Sequence, residues 1–531
     1  MMAYHPPRMH FEPALHVTQN WQLVKPAASG KHGMVVSQSK GAAEAGIAML
    51  DAGGNAIDAA IATALALATL EPWNSGLGGI GHVVLHRAGE PRAETVDFGP
   101  TAPVGLDPSR FKLTGKVASD LFAWPQVEGD TNIHGPLSFV IPSAVAGYAE
   151  LHSRWGKLPL SDIAAPAIAL ARRGLPQDWY TTLKIANSAA ILRKYPESAR
   201  VYLRDGLPPI PPYQGTLSYF PLGNLADTLA RLQHAGWRDF YEGEIATQIV
   251  ADVKDMGGIL SAEDLRGCRA RVGPATEMPW RERTLQLAGP LTAAPTAMDV
   301  LRQMTDARFG KEPDAAWYLA LARALKAAYA RRLTSLGDAE PQAAESCTSH
   351  ITACDAEGTM IAMTTTLLSS MGSRVVLPAT GILMNNGVMW FDPLPGQPNS
   401  IGPGKRPLTN MFPVILRDGA SPFVAAGASG GRRIMAAVLQ LMSFVADFGM
   451  TPERAAHQPR IDVSGPDKVT ADRTLAPDIL RALQDDGPTE IVEHGVLPLN
   501  FACPNLILQT ADVRIGVSDA ASPWSTALAQ A

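Results

Sequence analysis

The spacing of apolar and polar residues divides the chain into predicted helices and strands. Apolar residues that recur at helical spacing predict amphipathic or buried helices. Such helices are predicted over residues 40–52, 56–70, 160–173, 224–235, 314–332 and 431–447. Short apolar or alternating runs bounded by turn-forming residues predict strands. Such strands are predicted over residues 33–37, 82–86, 93–97, 348–354, 360–368, 382–386, 412–417 and 422–426.

The order of these elements separates two halves of the chain. An irregular arm is predicted over residues 1–32, and residues 144–335 are predicted to be mostly helical. The polar, aperiodic residues 339–345 predict an exposed linker. A strand hairpin follows it, with its turn at residues 355–358. Strands and helices in both halves indicate an α/β core of sheets covered by helices.

Composition narrows the classes of function. The chain has 531 residues, of which 46% are hydrophobic and 18% charged, a globular composition. The net charge of -5 provides no basic field for nucleic acid. The most apolar stretch, residues 59–70, is too short to span a membrane, and the N-terminus lacks the apolar core of a signal peptide. Four cysteines without a CxxC favour a reduced, cytoplasmic protein.

Two glycine-rich segments are candidates for close backbone approach. Residues 76–81 satisfy the GxGxxG pattern, but a predicted helix precedes them and a predicted strand follows, the reverse of a dinucleotide site. We therefore favour a tight loop there. Residues 425–433 join a strand to a helix through small residues. From the spacing alone they are equally compatible with an anion-binding nest and with a close-packed turn.

Familiar catalytic motifs give little further guidance. The sequence has no nucleophile elbow, HExxH motif or Walker lysine, so ordinary serine hydrolases, zinc proteases and NTPases lack support. The spacing of Cys347, His350 and Cys354 matches no common zinc pattern. Thr348 begins a strand directly after the predicted linker, and most such threonines are only strand residues. If the chain were cut before Thr348, its free α-amine could act as base for its own hydroxyl.

At this point the chain resembles the γ-glutamyltranspeptidases, also called glutathione hydrolases. The resemblance runs from about Gly33 to Asp462 and rests on many short segments in family order. These segments are residues 32–36, 53–60, 76–81, 142–147, 155–157, 166–168, 240–243, 257–265, 348–350, 372–373, 385–386, 402–407 and 430–431. They include Thr-Ser-His at 348–350 and Gly-Pro-Gly-Lys-Arg-Pro at 402–407.

The resemblance implies a four-layer αββα sandwich of the N-terminal-nucleophile hydrolase type. It implies self-cleavage between Cys347 and Thr348, which gives a large subunit of residues 33–347 and a small subunit of residues 348–531 within one domain. Thr348 would attack an amide carbonyl, and water or an amine would resolve the acyl-enzyme. No cofactor or metal is implied, and assembly beyond the two subunits is compatible with the sequence.

The resemblance also assigns roles to three further residues. Thr366 matches the second threonine of the family, which hydrogen-bonds the nucleophile. Gly430 and Gly431 match the glycine pair whose N–H groups form the oxyanion hole, which favours the anion-nest interpretation of residues 425–433. Loss of one such donor typically costs about 3–4 kcal/mol of transition-state stabilisation.

Several substrate-binding positions depart from the family pattern. Gly99 stands where an arginine holds the substrate's α-carboxylate, and Trp390 stands near the place of the acidic residue that holds the α-amino group. Other departures are Leu368 for an asparagine, and Thr409 and Asn410 for paired serines. We place these five residues, with Asn386 of the paired asparagines, in the predicted substrate site.

These departures predict a different acyl group. A desolvated amino-acid head needs both of its charges paired, and this site lacks the usual partners. The sequence therefore predicts an acyl group that is more apolar or carries only one charge, with Arg374, Lys405 or Arg432 as candidates to hold a carboxylate.

Three alternatives remain open at this stage. The first is a true γ-glutamyltransferase or glutathione hydrolase. The second is an uncut binding protein, which the short segment between Arg332 and Thr348 would favour. The third is cleavage one bond earlier, which would make Cys347 the nucleophile, although the register of the Thr-x-His motif argues against it.

Overall fold

Two sheets of seven strands each form the centre of the structure. The computed structural model describes residues 21, 23–117, 124–305, 307, 309–335, 346–465, 467–497 and 499–531. The strands are β1 Ala28–Gly30, β2 Met34–Ser37, β3 Ile80–His86, β4 Glu94–Phe98, β5 Leu113–Val117, β6 Pro125–Val127, β7 Leu175–Pro176, β8 Tyr219–Phe220, β9 Arg271–Pro274, β10 Thr276–Trp280, β11 Arg283–Leu287, β12 Ser346–Cys354, β13 Met360–Ser369, β14 Val414–Asp418, β15 Ser421–Ser429, β16 Ile461–Asp462, β17 Val469–Asp472, β18 Thr489–Val492, β19 Cys503–Gln509, β20 Arg514–Ser518 and β21 Thr526–Ala529. The helices are α1 Lys40–Asp51, α2 Ala56–Leu70, α3 Ala144–Trp155, α4 Leu160–Arg173, α5 Trp179–Leu192, α6 Pro196–Tyr202, α7 Leu225–Ala235, α8 Asp239–Glu242, α9 Glu244–Asp255, α10 Ala262–Gly267, α11 Ala294–Met304, α12 Ala315–Ser335, α13 Arg433–Ala446, α14 Pro452–His457 and α15 Pro477–Asp486.

The strand order interleaves the two ends of the chain. Sheet I has the order β1-β20-β19-β15-β14-β11-β10, and sheet II has the order β21-β2-β12-β13-β3-β4-β9. Neighbouring strands in both sheets are antiparallel. The hairpin of β12 and β13 occupies the middle of sheet II, so it has paired strands on both sides.

Side chains that alternate between the two faces of each strand produce the layers of the structure. In sheet II, Val35 faces the cluster built by α1 to α10, and its neighbour Val36 faces sheet I. In sheet I, Ile415 faces sheet II, and Val414 faces the cluster built by α11 to α15. Because side chains alternate across a strand, each sheet presents one apolar face to the other sheet and one to helices. The predicted αββα sandwich is therefore confirmed.

Helix α2 explains the most apolar stretch of the sequence. Asn55 caps it, accepting hydrogen bonds from the N–H groups of Ile57 and Asp58, and Asp58 accepts one from Asn55 in return. Every residue of α2 is buried, and the helix packs against β12 and β13. None of the described helices is long and apolar enough to cross a membrane. The end of α2 at Leu70 places the following turn directly behind the β12–β13 hairpin.

Most of the predicted helices and strands are confirmed, and some begin and end at the predicted residues. Helices α2 and α4 have the predicted bounds, and α1, α7, α12 and α13 differ from theirs by one to three residues. The predicted hairpin of β12 and β13 forms, and the strands predicted at the positions of β3, β4, β14 and β15 form and pair as β3–β4 and β14–β15. The predicted linker at residues 339–345 lies outside the described residues.

Three predictions were wrong. Residues 382–386 form isolated bridges rather than a strand, because the side chain of Asn385 takes up neighbouring backbone groups. The region predicted as mostly helical contains β9, β10 and β11. Strands β9 and β10 contain prolines and charges and lie at sheet edges, where such residues are tolerated, and β11 lies between β10 and β14. The N-terminal arm is not wholly irregular, because β1 pairs with β20.

The inter-sheet core gives a prediction for stability. Ile415 is fully buried between the sheets, so Ile415→Ala should lower the free energy of unfolding by about 2–5 kcal/mol in urea denaturation. Ile491→Ala is the matched control, because Ile491 is 36% exposed on β18, and its effect should stay below about 1 kcal/mol. Equal losses in both variants would contradict the assignment of the core.

Candidate active site

Thr348 occupies an irregular position in β12. Cys347 pairs with Leu368 and Ser349 pairs with Thr365, so Thr348 alone on β12 faces two residues of β13, Thr366 and Leu367, at a bulge whose extra residue lies on β13. Its side chain is nearly buried, and its Oγ1 lies 3.3 Å from Oγ1 of Thr366 on the neighbouring strand. A bulge turns a side chain away from the regular ladder. Here it coincides with the bond that self-cleavage would break.

Thr366 is held by an unusual backbone conformation. Its Oγ1 accepts a hydrogen bond of 2.8 Å from the N–H of Leu368, and Leu368 has a φ of 87°. Positive φ is uncommon for a residue with a branched side chain and often marks a functional constraint. This conformation directs the N–H of Leu368 to Oγ1 of Thr366, and the same Oγ1 stays close to Thr348.

The glycine-rich loop after α2 passes against this pair. A Cβ on Gly79 would lie 2.8 Å from the carbonyl oxygen of Thr366, and one on Gly78 would lie 2.3 Å from that of Leu383. Such distances exclude a side chain. The loop is therefore a close backbone approach, as predicted, and with α2 before it and β3 after it the segment lacks the context of a dinucleotide site.

The second small-residue segment turns sharply between β15 and α13. Gly430 has a φ of 137° and Gly431 a φ of 60°, and a Cβ on Gly430 would lie 2.6 Å from the Cβ of Ala502. Three residues earlier in β15, Gly427 packs against the ring of His350, which lies two residues after Thr348. The turn thus lies at the Thr348 end of the sandwich, at the N-terminus of α13, where backbone N–H groups favour an anion.

His350 is poorly suited to act as a catalytic acid or base in this arrangement. It is fully buried, and its Nδ1 lies 2.9 Å from Oγ1 of Thr364. Burial lowers the pKa of His350 to about 3. The imidazole therefore stays neutral at physiological pH and ties β12 to β13, which agrees with a nucleophile that needs no histidine base.

Around Gly99 the structure has a cation that the sequence analysis missed. A Cβ on Gly99 would lie 2.7 Å from Nε2 of His82 and 3.1 Å from Nη2 of Arg406, so an arginine does not fit there. Asp97 lies 2.6 Å from Nη2 of Arg406 and 3.4 Å from Nδ1 of His82. Burial alone would raise the pKa of Asp97, but His82 and Arg406 outweigh burial and hold that pKa below its usual value.

Trp390 and Leu368 lie in one apolar cluster. Both are almost completely buried, together with Ile80, Val388 and Met411. Trp390 ends a short 3-10 turn, and its carbonyl oxygen accepts a hydrogen bond of 2.6 Å from Asn399. The cluster adjoins Thr366, because Ile80 pairs with Thr366 across the sheet. Two positions that are polar in the family thus lie within apolar surroundings here.

Asn386 and Arg374 converge on Ser369. Nδ2 of Asn386 donates to Oγ of Ser369 and to the carbonyl oxygen of Ile133, each at 2.8 Å. Nη1 of Arg374 donates to the same Oγ at 2.7 Å. Ser369 pairs with Ser346 at the start of β12. These side chains lie near the chain that precedes Thr348, and contact with substrate stays a prediction.

Thr409 and Asn410 are engaged with a buried arginine. Arg332, on the last turns of α12, donates from Nη2 to the carbonyl oxygen of Thr409 at 3.0 Å and to Oδ1 of Asn410 at 3.1 Å. The hydroxyl of Thr409 donates to the carbonyl oxygen of Leu291 at 2.9 Å. Their roles toward substrate stay predictions.

The other two candidate cations have different surroundings. Lys405 donates from Nζ to the carbonyl oxygen of Ser400 at 2.7 Å, which closes its own loop. Arg432 is buried next to the glycine pair, and its carbonyl oxygen accepts a hydrogen bond from Tyr329. No pattern in the sequence indicates the cation beside Gly99, because Arg406 reaches that position from a segment remote in sequence.

A large cleft lies away from these residues. It has a volume of about 690 Å³ and is lined by the rings of Trp280, Trp317 and Phe448. Trp317 lies near the start of α12, whereas Arg332 lies near its end. Fifteen helical residues span roughly 22 Å, so this wall of the cleft is remote from Arg332 and from its contacts with Thr409 and Asn410.

Comparisons with known proteins identify the family of the chain. The sequence profile of the family described as Gamma-glutamyltranspeptidase matches residues 42–347 and 339–523. Glutathione hydrolase 3 of Arabidopsis thaliana is 29% identical over 491 residues, which are 82% of this chain and 74% of that protein. The Acylase ACY 1 proenzyme of Pseudomonas sp. strain V22 is 30% identical over 492 residues, which are 83% of this chain and 84% of that protein.

A solved structure supports the fold. The crystal structure of cephalosporin acylase from Bacillus halodurans has a TM-score of 0.82 and 24% sequence identity, and it covers 98% of this chain and 99% of that one. The fold, the two threonines and these relatives define a hydrolase or transferase of the N-terminal-nucleophile type. The chain belongs to the γ-glutamyltranspeptidase family.

The contact between the threonines gives a prediction. Thr366→Val keeps the volume but removes the hydroxyl beside Thr348, so it should lower kcat for amide hydrolysis about 10- to 100-fold. Thr365→Val is the matched control, because Thr365 bonds Ile80 and Tyr148 on the opposite face of β13. Steady-state kinetics should show a loss of less than about threefold for the control. A similar loss in both variants would contradict a special role for Thr366.

Proposed function

We propose that this protein is a self-processing amidohydrolase or acyltransferase whose nucleophile is Thr348. The observation that carries the proposal is the position of Thr348 opposite the bulge of β13, with its Oγ1 3.3 Å from that of Thr366 at the end of the sandwich where the Gly430–Gly431 turn lies. This arrangement combines a nucleophile, a hydrogen-bonding partner and an anion-binding turn.

Self-cleavage is the first step of the proposed mechanism. Oγ1 of Thr348 attacks the carbonyl carbon of Cys347, and the Cys347–Thr348 peptide bond breaks as an ester forms. The former peptide nitrogen becomes the α-amine of Thr348. Water then hydrolyses the ester, which leaves a carboxylate on Cys347 and restores the hydroxyl. The bulge of β13 supports this step because it interrupts the regular pairing of β12 with β13 beside the bond that breaks.

Amide cleavage follows the same pattern with an external substrate. The α-amine of Thr348 takes the proton of its own hydroxyl, and Oγ1 attacks the amide carbonyl. N–H groups of Gly430 and Gly431 stabilise the tetrahedral oxyanion, the amine leaves, and water or an amine removes the acyl group. Buried His350 takes no part as a base, since burial lowers its pKa to about 3.

The acyl group is proposed to lack the free amino-acid head of a γ-glutamyl compound. Trp390 and Leu368 supply apolar surroundings, and Gly99 leaves no room for an arginine. Arg406 is the cation nearest that position, and it is already paired with Asp97. A relative named as an acylase supports such a substrate class, whereas relatives named as glutathione hydrolases keep γ-glutamyl transfer as the second candidate.

Intact mass under denaturing conditions tests the nucleophile. The purified protein should give two chains, residues 1–347 and 348–531, and Thr348→Ala should give one uncut chain without amidase activity. Cys347→Ala is the control, because it should still be cut before Thr348. A small chain that begins at Cys347 would transfer the nucleophile to that residue, and an uncut wild-type chain would support the binding-protein alternative.

A panel of 4-nitroanilides tests the acyl group. Glutaryl, hexanoyl and phenylacetyl anilides should show a higher kcat/KM than γ-glutamyl anilide. Trp390→Ala should lower kcat/KM for the best acyl group about 10- to 200-fold, the usual range for lost pocket contacts. Trp524→Ala is the control, because Trp524 is 38% exposed. Efficient turnover of γ-glutamyl anilide or glutathione by the wild type would overturn this part of the proposal.

A further inference from the structure

The turn that follows α2 is joined to both strands of the nucleophile hairpin. Oγ of Ser75 donates to Oγ of Ser349 at 2.9 Å, and Ser349 is the residue directly after Thr348. The carbonyl oxygen of Asn74 accepts a hydrogen bond of 2.9 Å from the N–H of Leu367, the residue directly after Thr366. The same turn therefore contacts β12 and β13 immediately beside their two threonines.

Glu71 is the centre of this turn. Its side chain is buried, and its Oε2 accepts from Nδ2 of Asn74 at 2.9 Å and from Oγ of Ser349 at 3.5 Å. Because Ser75 donates to Ser349, the hydroxyl proton of Ser349 is directed to Glu71. Burial, the largest effect, raises the pKa of Glu71 to about 7, although Asn74, Lys184 of α5 and Ser349 each lower it.

Helix stability does not explain this carboxyl group. Glu71 is the C-cap residue of α2, where the helix dipole disfavours a negative charge. The buried Asp58 and Asp264, in contrast, cap helix N-termini, where a carboxylate is stabilising. A buried acid at a helix C-terminus costs folding free energy unless its contacts are needed elsewhere. Its side-chain hydrogen bonds are with Ser349 of the nucleophile strand and with Asn74 of its own turn, and Lys184 of α5 is its charged neighbour.

We propose that Glu71 is a positioning residue, which fixes Ser349 and, through Asn74, Leu367, and so sets the separation of Thr348 from Thr366. The kinetic part of this inference rests on the proposed function of Thr348. Ser349 and Leu367 are each one residue from a threonine, so a shift of either backbone is transmitted directly to the pair. A misplacement of about 1 Å can lower a rate about 100-fold.

Kinetics of matched variants test the inference. Glu71→Ala should lower kcat about 10- to 100-fold and change KM less than about threefold, because alignment rather than substrate contact is lost. Ser349→Ala should show a similar loss, and the double variant should lose no more than either single variant, because both changes break the same contact. Asp252→Asn is the control, a half-buried carboxyl with a raised pKa that accepts from the N–H of Ala379. It should keep wild-type kcat.

The pH dependence of kcat distinguishes positioning by the carboxylate from a purely structural role of Glu71. Glu71→Gln keeps an acceptor but does not ionise. The kcat of this variant should equal that of the wild type at pH 6, where the carboxyl group of Glu71 is largely protonated. At pH 8 the wild-type carboxylate accepts hydrogen bonds more strongly, so the kcat of the variant should be about fivefold lower than that of the wild type. The ionisation of the Thr348 amine should persist in both proteins. A constant ratio of the two rates across this range would overturn the inference.

A crystal structure of Glu71→Ala separates the two proposals. The distance between the two Oγ1 atoms should increase from 3.3 Å to beyond hydrogen-bond range. If Thr348→Ala retained amidase activity, the proposed function would fail, but this distance would still decide the positioning role. If Thr348→Ala were inactive while Glu71→Ala kept wild-type kcat and an unchanged distance, only the inference about Glu71 would fail. If Glu71→Ala does not fold, Ser349→Ala supplies the same distance measurement.

Discussion

The pairing of β12 with β13 in the middle of sheet II is the constraint on which the site depends. Helix α2 covers one face of this hairpin and sheet I covers the other, so polar side chains on either face must find partners inside the protein. His350 bonds Thr364, and Thr352 bonds Asn505 of sheet I. A one-residue slip would move each of these groups to the wrong face. The register is therefore fixed, and a bulge of β13 interrupts it opposite Thr348.

The charges near the site are arranged as pairs rather than as free ions. Arg406 is held by Asp97, and Arg332 is bonded to Asn410 and to the carbonyl oxygen of Thr409. A substrate carboxylate would have to compete with Asp97 for Arg406, which weakens the case for a strongly charged substrate. Apolar contacts at Trp390 and Leu368 have no such competitor. These surroundings agree with the proposed acyl group, whose recognition would depend mainly on shape and apolar surface.

The sequence predicted the parts of this structure that depend on local patterns. Helices such as α2 and α4 have continuous periodicity and clear caps, and the β12–β13 hairpin has alternation around a polar turn. The short strands β9 to β11 were missed because the prolines of β9 and β10 and the charges in all three resemble loop residues. The roles of Arg406, Arg332 and Glu71 were also missed, because each depends on a partner that is remote in sequence, which periodicity cannot reveal. Resemblance to a family supplied the threonines and glycines, whose conformations no local pattern would have indicated.

The interleaved strand order has a consequence for refolding after cleavage. Residues before Thr348 contribute β1, β10 and β11 to sheet I and β2, β3, β4 and β9 to sheet II, and the later residues contribute the remaining strands. Neither part has a complete sheet, so each would lack a core without the other. After a cut before Thr348, the two pieces would separate only by unfolding, and renewed folding would require an encounter between two molecules. A folding reaction that is unimolecular and independent of concentration would become bimolecular, so dilution would oppose recovery from denaturation.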